Sequence, residues 1–246
     1  VKVSVVTVVY NRDATIREAL SSVLSQRGVE IDLVVQDGGS TDGTCETVKG
    51  FDDLCINFES APDFGIYDAI NRGITRTDGE IIGLMHSDDL FFNNEVLNRV
   101  VATFEKSNID GVYGDLDYVL FRDPSRIVRR WRPGSFEYSK LARGWMPPHP
   151  TLYLRREVFE KWGAYDTEFR IAADYEAILR WLVRGKIRLE YIPTTMVKMR
   201  LGGESNRSLS HILTKSKEDL IAIRRHNIGG MGTLALKNIS KFGQFF

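Results

Sequence analysis

The chain has little sulfur and little imidazole: two cysteines, Cys45 and Cys55, and four histidines among 246 residues. None of these stands at metal-ligand spacing, which excludes a zinc module or a disulfide scaffold, and a reducing cytoplasm is the simpler setting. No apolar run is long enough to cross a bilayer. Val1 opens directly on a strand pattern, so the expectation is a chain without a signal peptide, soluble or lying on a membrane surface. There is no internal repeat and no low-complexity segment. Net charge is also absent, with 33 Lys and Arg against 33 Asp and Glu. The basic residues lack aromatic interleaving, which counts against nucleic-acid binding. What is present is a globular composition long enough for one sizeable core with an appended subdomain. The two halves differ sharply, since residues 1–120 hold 9 Lys and Arg against 21 Asp and Glu, and residues 121–246 hold 24 against 12. That asymmetry separates a half suited to cations from one suited to anions; two solvated faces of opposite sign are the plain alternative.

Residues 3–9 are nearly continuous in β-branched side chains, as in a parallel strand covered on both faces. A helix is expected over 14–25, capped by Asn11 or Asp13 and ended by Gly28. Strands over 31–35 and 56–58, a short helix through Val48, a helix over 66–74 and a strand over 81–85 continue a βαβ pattern, which predicts an open α/β sheet. Asn94 reads as the cap of a helix with Val96, Val100 and Phe104 on one stripe. Beyond Asp110, strands over 112–118 and 119–128 lack an intervening helix and predict a mixed sheet. The segment 131–150, with Pro133, Pro147, Pro148 and Pro150, reads as an ordered loop crossing the site. A helix over 174–183, strands over 187–191 and 195–199, a mobile loop over 202–206 and a helical tail from His211 complete the pattern.

Acids stand where such sheets bind ligands, outside the carboxyl ends of the strands: Asp37, Asp63 and the pair Asp88-Asp89. The run Asp37-Gly38-Gly39-Ser40-Thr41-Asp42-Gly43-Thr44 is explained largely by turn chemistry, with glycines for positive φ and Ser40 or Asp42 as a cap. An Asp ahead of the glycines at a strand end could also accept hydrogen bonds from a uracil ring or a ribose. Asp88-Asp89 could cap the next segment, or its diverging side chains could divide between a ribose and a cation. Few carboxylates plus phosphate oxygens suit Mg²⁺ or Mn²⁺. His86 shares that strand end and could join, a histidine satisfied within its loop being the ordinary outcome. Asp174 and Glu176 begin a helix, where the macrodipole favours acids, and local pattern does not choose between capping and a general base.

Taken together, residues 3–11, Asp37 to Thr44, Tyr67-Asp68-Ala69-Ile70-Asn71-Arg72-Gly73-Ile74, Gly79-Glu80-Ile81-Ile82, Ser87-Asp88-Asp89 and Ala173-Asp174-Tyr175-Glu176 occur in an order and spacing that resembles glycosyltransferase family 2, the inverting enzymes of GT-A fold. The resemblance covers roughly residues 1–205 and is closest to bacterial enzymes of exopolysaccharide, colanic-acid and O-antigen assembly. It implies a Rossmann-like mixed sheet flanked by helices: a catalytic domain over 1–205, split into a nucleotide-binding half (1–110) and an acceptor half (111–205), then a helical extension over 206–246. It implies that Val8, Tyr10, Asn11, Asp37, Asp63 and Gly65 surround the nucleotide, that Asp88 meets the ribose, that Asp89 binds Mn²⁺ or Mg²⁺, and that Asp174 deprotonates the acceptor hydroxyl. His149 and His86 are candidates for acceptor or diphosphate contact. The implied reaction is single-addition transfer from a nucleotide sugar, UDP-linked, to a glycan or polyprenyl-diphosphate-linked acceptor. Arg180-Trp181 reads as helix packing rather than as the signature of a processive synthase.

Two positions depart from the family pattern. His86 stands where an acid is frequent, which thins the metal site, and Gly38 replaces a frequent second acid after Asp37. The loop over 202–206 is expected to close over the donor. Arg129, Arg130, Arg132, Lys215, Arg224, Arg225, Lys237 and Lys241 are expected to meet anionic head groups, with Leu234, Leu236, Ile239, Phe242, Phe245 and Phe246 dipping into the interface. That arrangement places the protein in the cytoplasm, peripheral on the inner face of the plasma membrane. The tail packed on the body, or on a second subunit of a homo-oligomer, is the alternative. A nucleotidyltransferase lacks its basic phosphate loop here, and a non-catalytic nucleotide-sugar binder would have no use for Asp174.

Overall fold

The computed structural model describes residues 1–51, 56–202 and 209–240. Cys55, most of the expected closing loop (203–206) and the tail residues Lys241, Phe242, Phe245 and Phe246 lie outside them. Four strands form the parallel half of the sheet: β1 (Lys2–Val9), β2 (Glu30–Asp37), β3 (Ile56–Ser60) and β4 (Ile81–Leu84), in spatial order β3-β2-β1-β4. The helices α1 (Asp13–Leu24), α2 (Thr44–Lys49) and α3 (Ile66–Thr75) connect them. The period of two along β1, buried on both faces, explains its nearly continuous β-branched run. Val3, Val5 and Val9 enter one core with Ile16, Leu20 and Val100, while Val6 and Val8 enter another with Ile70, Tyr175 and Trp181. At Gly73 a β-carbon would lie 2.4 Å from Val6 Cγ1, so glycine there lets α3 lie flat on β1.

The mixed half follows β5 (Leu90–Phe91) and α4 (Val96–Lys106). It contains β6 (Gly111–Leu120), β7 (Asp123–Trp131), β8 (Tyr153–Arg155) and β9 (Leu189–Arg200), with β6 antiparallel to β7 and β8 and parallel to β9. The hairpin turns at Phe121-Arg122, later than the sequence reading placed it. The two late strands of that reading are one, β9, with register shifts around Gly114 and Asp115 opposite the segment that contains Pro193. The proline-rich segment 131–150 is ordered. Trp145 Nε1 donates to Pro133 O at 2.9 Å and Tyr113 OH to Gly134 O at 2.8 Å, with α5 (Tyr138–Leu141) inside it.

The helices α6 (Arg156–Trp162) and α7 (Ala173–Leu179), the latter continued by a π-helical turn over Arg180–Arg184, precede α8 (Leu209–Arg225) and α9 (Met231–Ser240). Ala222, Ile223 and Leu234 share a core with Tyr175 and Leu179, so α8 and α9 pack on α7. This corrects the expectation for two tail residues: Leu234 and Lys237 face inward, and only Leu236 and Ile239 of α9's expected apolar face are exposed. Arg225 is likewise held by Asp166 at 2.6 Å and lies over the Phe169 ring. Among the described residues no helix is long and apolar enough to cross a membrane.

Candidate active site

The carboxyl ends of β1 and β2 are tied into one loop cluster. Asp37 is fully buried, and its Oδ2 accepts from Gly39 N (3.0 Å), Ser40 N (2.9 Å) and Ser60 Oγ (2.6 Å), while Ser40 Oγ donates to Oδ1. Burial alone would raise its pKa, but the bonds from Ser40, Ser60 and Cys45 outweigh that and hold it below the usual carboxylate range. The carboxylate therefore shapes the turn from beneath. Asn11 does not cap α1, whose first flanking residue is Arg12 without a side-chain cap. It adopts φ 51° and bridges the loops, its N–H donating to Ser40 Oγ (2.8 Å) and its Oδ1 accepting from Thr41 N (2.9 Å). Asn94 likewise does not cap α4, which is flanked by Glu95. Over this cluster Tyr10 is 57% exposed. A β-carbon at Gly38 would stand 2.4 Å from Asp63 Oδ2 and 3.5 Å from the Tyr10 ring, so the space of the missing second acid is filled by Asp63. Asp63 Oδ1 in turn accepts from Gly65 N, and Val8 lies buried below.

At the end of β4 the two acids separate. Asp88 lines a hollow of about 240 Å³ with Asn11, Asp13 and Asp42. Asp89 is buried; its Oδ1 accepts from Arg200 N at 3.1 Å and its Oδ2 has no hydrogen-bond partner among the described residues. Burial and the adjacent Asp88 hold the Asp89 carboxyl well above the usual range, against Arg200. Arg200 closes this corner, donating to Asp88 O (2.9 Å) and Phe121 O (3.0 Å) and pairing with Glu18. The open Asp88 carboxylate and the orphaned Asp89 Oδ2 fit a divalent cation whose other ligands are phosphate oxygens and water. Among the described residues no group of three His, Cys, Asp or Glu is gathered as a protein cage.

A larger cavity of about 880 Å³ lies beside this hollow, lined by His86, His149 and Asp174 and, across from them, by residues of 129–146 and of α8 and α9. Among the described residues, eight lysine and arginine side chains line it against one carboxylate, Asp174. Asp174 stands in the first turn of α7 and does not cap it. The backbone that leads into α7 is held by Glu218 of α8, whose carboxylate accepts from Arg170 N (3.0 Å), Ile171 N (2.9 Å) and Ala172 N (2.9 Å). The other acid of the turn, Glu176, is spent on His226 and Arg180, both at 3.0 Å. Burial would raise Glu176, but these partners bring it down to about 2. Asp174 is thus the acid left for the cavity. Burial would raise it too, but His149, Lys215 and Lys237 hold it below the usual range and ionised. Its Oδ1 accepts from Tyr175 N (2.8 Å) and lies 3.4 Å from Tyr67 OH, whose shorter bond runs to Ile171 O (2.8 Å). Tyr67 stacks on Tyr165, whose hydroxyl meets His149 Nε2 at 2.8 Å, and Asn71 pins Tyr165 by two backbone bonds of 2.8 and 2.9 Å. Burial pushes His149 down to about 4, so its imidazole is neutral near pH 7.

The sequence model of glycosyl transferase family 2 matches residues 4–164. The chain belongs to glycosyl transferase family 2. It is 32% identical over 182 residues to an uncharacterized glycosyltransferase of Mycobacterium tuberculosis, covering 72% of this chain and 68% of that one. It is 29% identical over 210 residues to a PGL/p-HBAD biosynthesis glycosyltransferase of Mycobacterium bovis, covering 82% and 78%. The fold is that of GT-A glycosyltransferases. The S. aureus TarS structure in complex with UDP-GlcNAc superposes with a TM-score of 0.67 at 18% identity over 92% of this chain and 68% of that one. Pyrobaculum calidifontis mannosyltransferase PcManGT, in complex with GDP-Man and Mn²⁺, gives 0.66 at 18% identity over 91% and 63%. This chain spans 40% of the longer TarS chain.

In this family-2 glycosyltransferase the structure gathers the expected residues into two groups. Tyr10, Asn11, Asp37, Asp63 and Gly65 surround the β1–β3 ends, and His86, His149 and Asp174 line the cavity, with Asp88-Asp89 between. Tyr67, Tyr165, Arg200, Glu218 and Lys237 belong to the site as well, and sequence reasoning gave none of them such a place. Tyr67 and Asn71 do carry a signal, being four apart on one face of α3, where two polar groups can reach the same neighbouring segment.

Proposed function

We propose that the chain transfers a sugar from a nucleoside-diphosphate sugar, with UDP as carrier, to a hydroxyl of a glycan or lipid-linked acceptor, inverting the anomeric centre in a single addition. Assembly of bacterial surface polysaccharide is the setting in which such acceptors occur. The observation that carries the reading is Asp174: the one carboxylate, ionised, among the described residues of a cavity that also holds eight lysines and arginines, adjoining the hollow that Asp88 lines. Tyr10, Asn11, Asp63 and Gly65 would hold the base, with Asp37 setting the loop from below, and Asp88 would take the ribose. Asp89 and Asp88 would hold Mn²⁺ or Mg²⁺, which supplies positive charge to the departing diphosphate when bound. The Tyr175 N–H fixes Asp174 Oδ1, which leaves Oδ2 to accept the proton as the acceptor hydroxyl attacks. Neutral His149, held by Tyr165, offers a hydrogen bond to either substrate without competing for that proton.

The test is nucleoside-diphosphate release across UDP- and GDP-sugars with Mn²⁺, Mg²⁺ or chelator, in the wild type and in Asp174→Asn. Release with a UDP-sugar that needs a cation and collapses in Asp174→Asn supports the reading; turnover near wild type in that variant would assign the base elsewhere. We place the protein in the cytoplasm, on the inner membrane face; the exposed Leu236 and Ile239 of α9 support contact with a membrane surface, and a second copy over that face is the alternative. Liposome flotation with and without residues 229–246 separates the two. We also propose that 1–205 is the catalytic domain and 206–246 an extension, one that contributes side chains to the cavity.

A further inference from the structure

The ends of β5, β9, β6 and β7 set one row of side chains beside the Asp88-Asp89 corner. Met199 of β9 pairs with Tyr118 of β6, and Tyr118 pairs in turn with Arg129 of β7. Leu90 of β5 pairs with Lys198, so the same antiparallel register continued by one residue brings Asp89 opposite Met199. Residues opposite one another share a face of the sheet. Asp89, Met199, Tyr118 and Arg129 therefore stand in one row, and the last three line the cavity that holds Asp174. Two strand spacings, about 10 Å, separate the backbones of Asp89 and Tyr118. A cation on Asp89 and the phosphate it carries fill a gap of that size.

Among the described residues two tyrosines line this cavity. Tyr67 spends its hydroxyl on Ile171 O at 2.8 Å, whereas the hydroxyl of Tyr118 has no hydrogen-bond partner among the described residues and is not sealed in. The phenol is held in place all the same. The Arg129 guanidinium lies 4.5 Å from the centre of its ring, and Arg200 ties the β6–β7 turn to the acid pair through Phe121 O and Asp88 O. Burial pushes the phenol's pKa up, with Arg129 opposing and the Asp89 carboxylate adding to the rise, so it keeps its proton to donate. Sheet order fixes which part of a donor it reaches. The expected base site lies at the ends of β1 to β3, the acid pair follows β4, and β6 stands two strands further on.

We propose that Tyr118 is a donor-binding residue whose hydroxyl gives a hydrogen bond to an oxygen of the phosphate that bears the sugar, across that phosphate from Asp89. The proposal rests on the reading of Asp88-Asp89 as the cation and diphosphate corner. When the bond between the anomeric carbon and the phosphate oxygen breaks, its electron pair stays on the diphosphate. A fixed donor there stabilises the added charge, and the hydroxyl proton remains on Tyr118 throughout.

The test is calorimetry of UDP and of UMP, each with Mn²⁺, on the full chain. In Tyr118→Phe, UDP is expected to bind about tenfold more weakly, as for loss of a hydrogen bond to a charged group, with UMP affinity kept within about twofold. Phenylalanine keeps the ring beneath Arg129, and UMP binding within the variant is the control for an intact site. Unchanged affinity for both nucleotides would make Tyr118 a packing residue and overturn the proposal. Equal weakening of both would overturn it too, since the hydroxyl would then act on the nucleoside or on the fold. The reading beneath it fails by a different result: wild-type chain that binds UDP no better with Mn²⁺ than with chelator has no cation corner, and the proposal falls with it.

Discussion

Around the ends of β1 and β2, Asp37 and Asp42 bond to neighbours two or three residues on, and Asn11 and Ser60 reach the same turn from adjacent strand ends, so the loop cluster is built within the first third of the chain. Around Asp174 only the Tyr175 N–H is local: Tyr67 comes from α3, His149 from a 3₁₀ turn, Glu218 and Lys215 from α8, Lys237 from α9. The first arrangement is a preformed cradle, and the second is a site assembled by helix docking. Changes on α8 and α9 should therefore reach the chemistry while leaving donor binding alone.

The largest effect expected along this division is that of Asp174→Asn, a fall in kcat of roughly 10²–10⁴ as for other general bases, measured as acceptor-dependent release of nucleoside diphosphate. Next comes Glu218→Gln, which weakens three bonds to the backbone ahead of Asp174. Charged hydrogen bonds are worth about 1.5–3 kcal/mol each, so a tenfold or greater loss of kcat with unchanged donor KM is expected, and Glu218→Asp should restore part of it.

Lys237 gives a smaller effect with a definite sign. Its folded pKa of about 7 lies below the ordinary lysine value of 10.5, so between those limits the unfolded chain binds the extra proton and stability rises with pH. Lys237→Met should flatten that rise in Tm above pH 7. A slope unchanged by the substitution would mean that Asp219, Lys215 and Asp174 do not place Lys237 as described. The smallest effect is expected at the cradle: Gly38→Ala pushes Asp63 aside and should raise donor KM several-fold, about 1 kcal/mol, with kcat kept.

What the sequence made legible follows the same division. The parallel strands, the Asp37 turn and the acid pair were readable because each is a local pattern: a run of β-branched residues, glycines flanked by capping side chains, two carboxylates at a strand end. Arg200 was not readable, since its backbone meets Asp89 from 111 residues away, and Tyr67 reaches Asp174 across 107. The capping expectations for Asn11 and Asn94 failed for a related reason. Asn11's carboxamide is used by Thr41 of the neighbouring loop, a partner that helix-start statistics do not contain. Lys237 on an amphipathic tail looked like a membrane contact until α9 was seen to turn it inward onto Asp219. Family resemblance supplied the role expected of Asp174, and the structure places it in the cavity, inside the first turn of α7 rather than at its N-cap.

The division is tested most directly by donor affinity, measured by calorimetry with UDP-sugar and Mn²⁺ for Asp88→Asn and Asp174→Asn side by side. A cradle independent of the assembled site predicts about tenfold or greater weakening in Asp88→Asn and a change within about twofold in Asp174→Asn. Equal weakening in both would contradict it, placing Asp174 on the donor and the base elsewhere in the cavity.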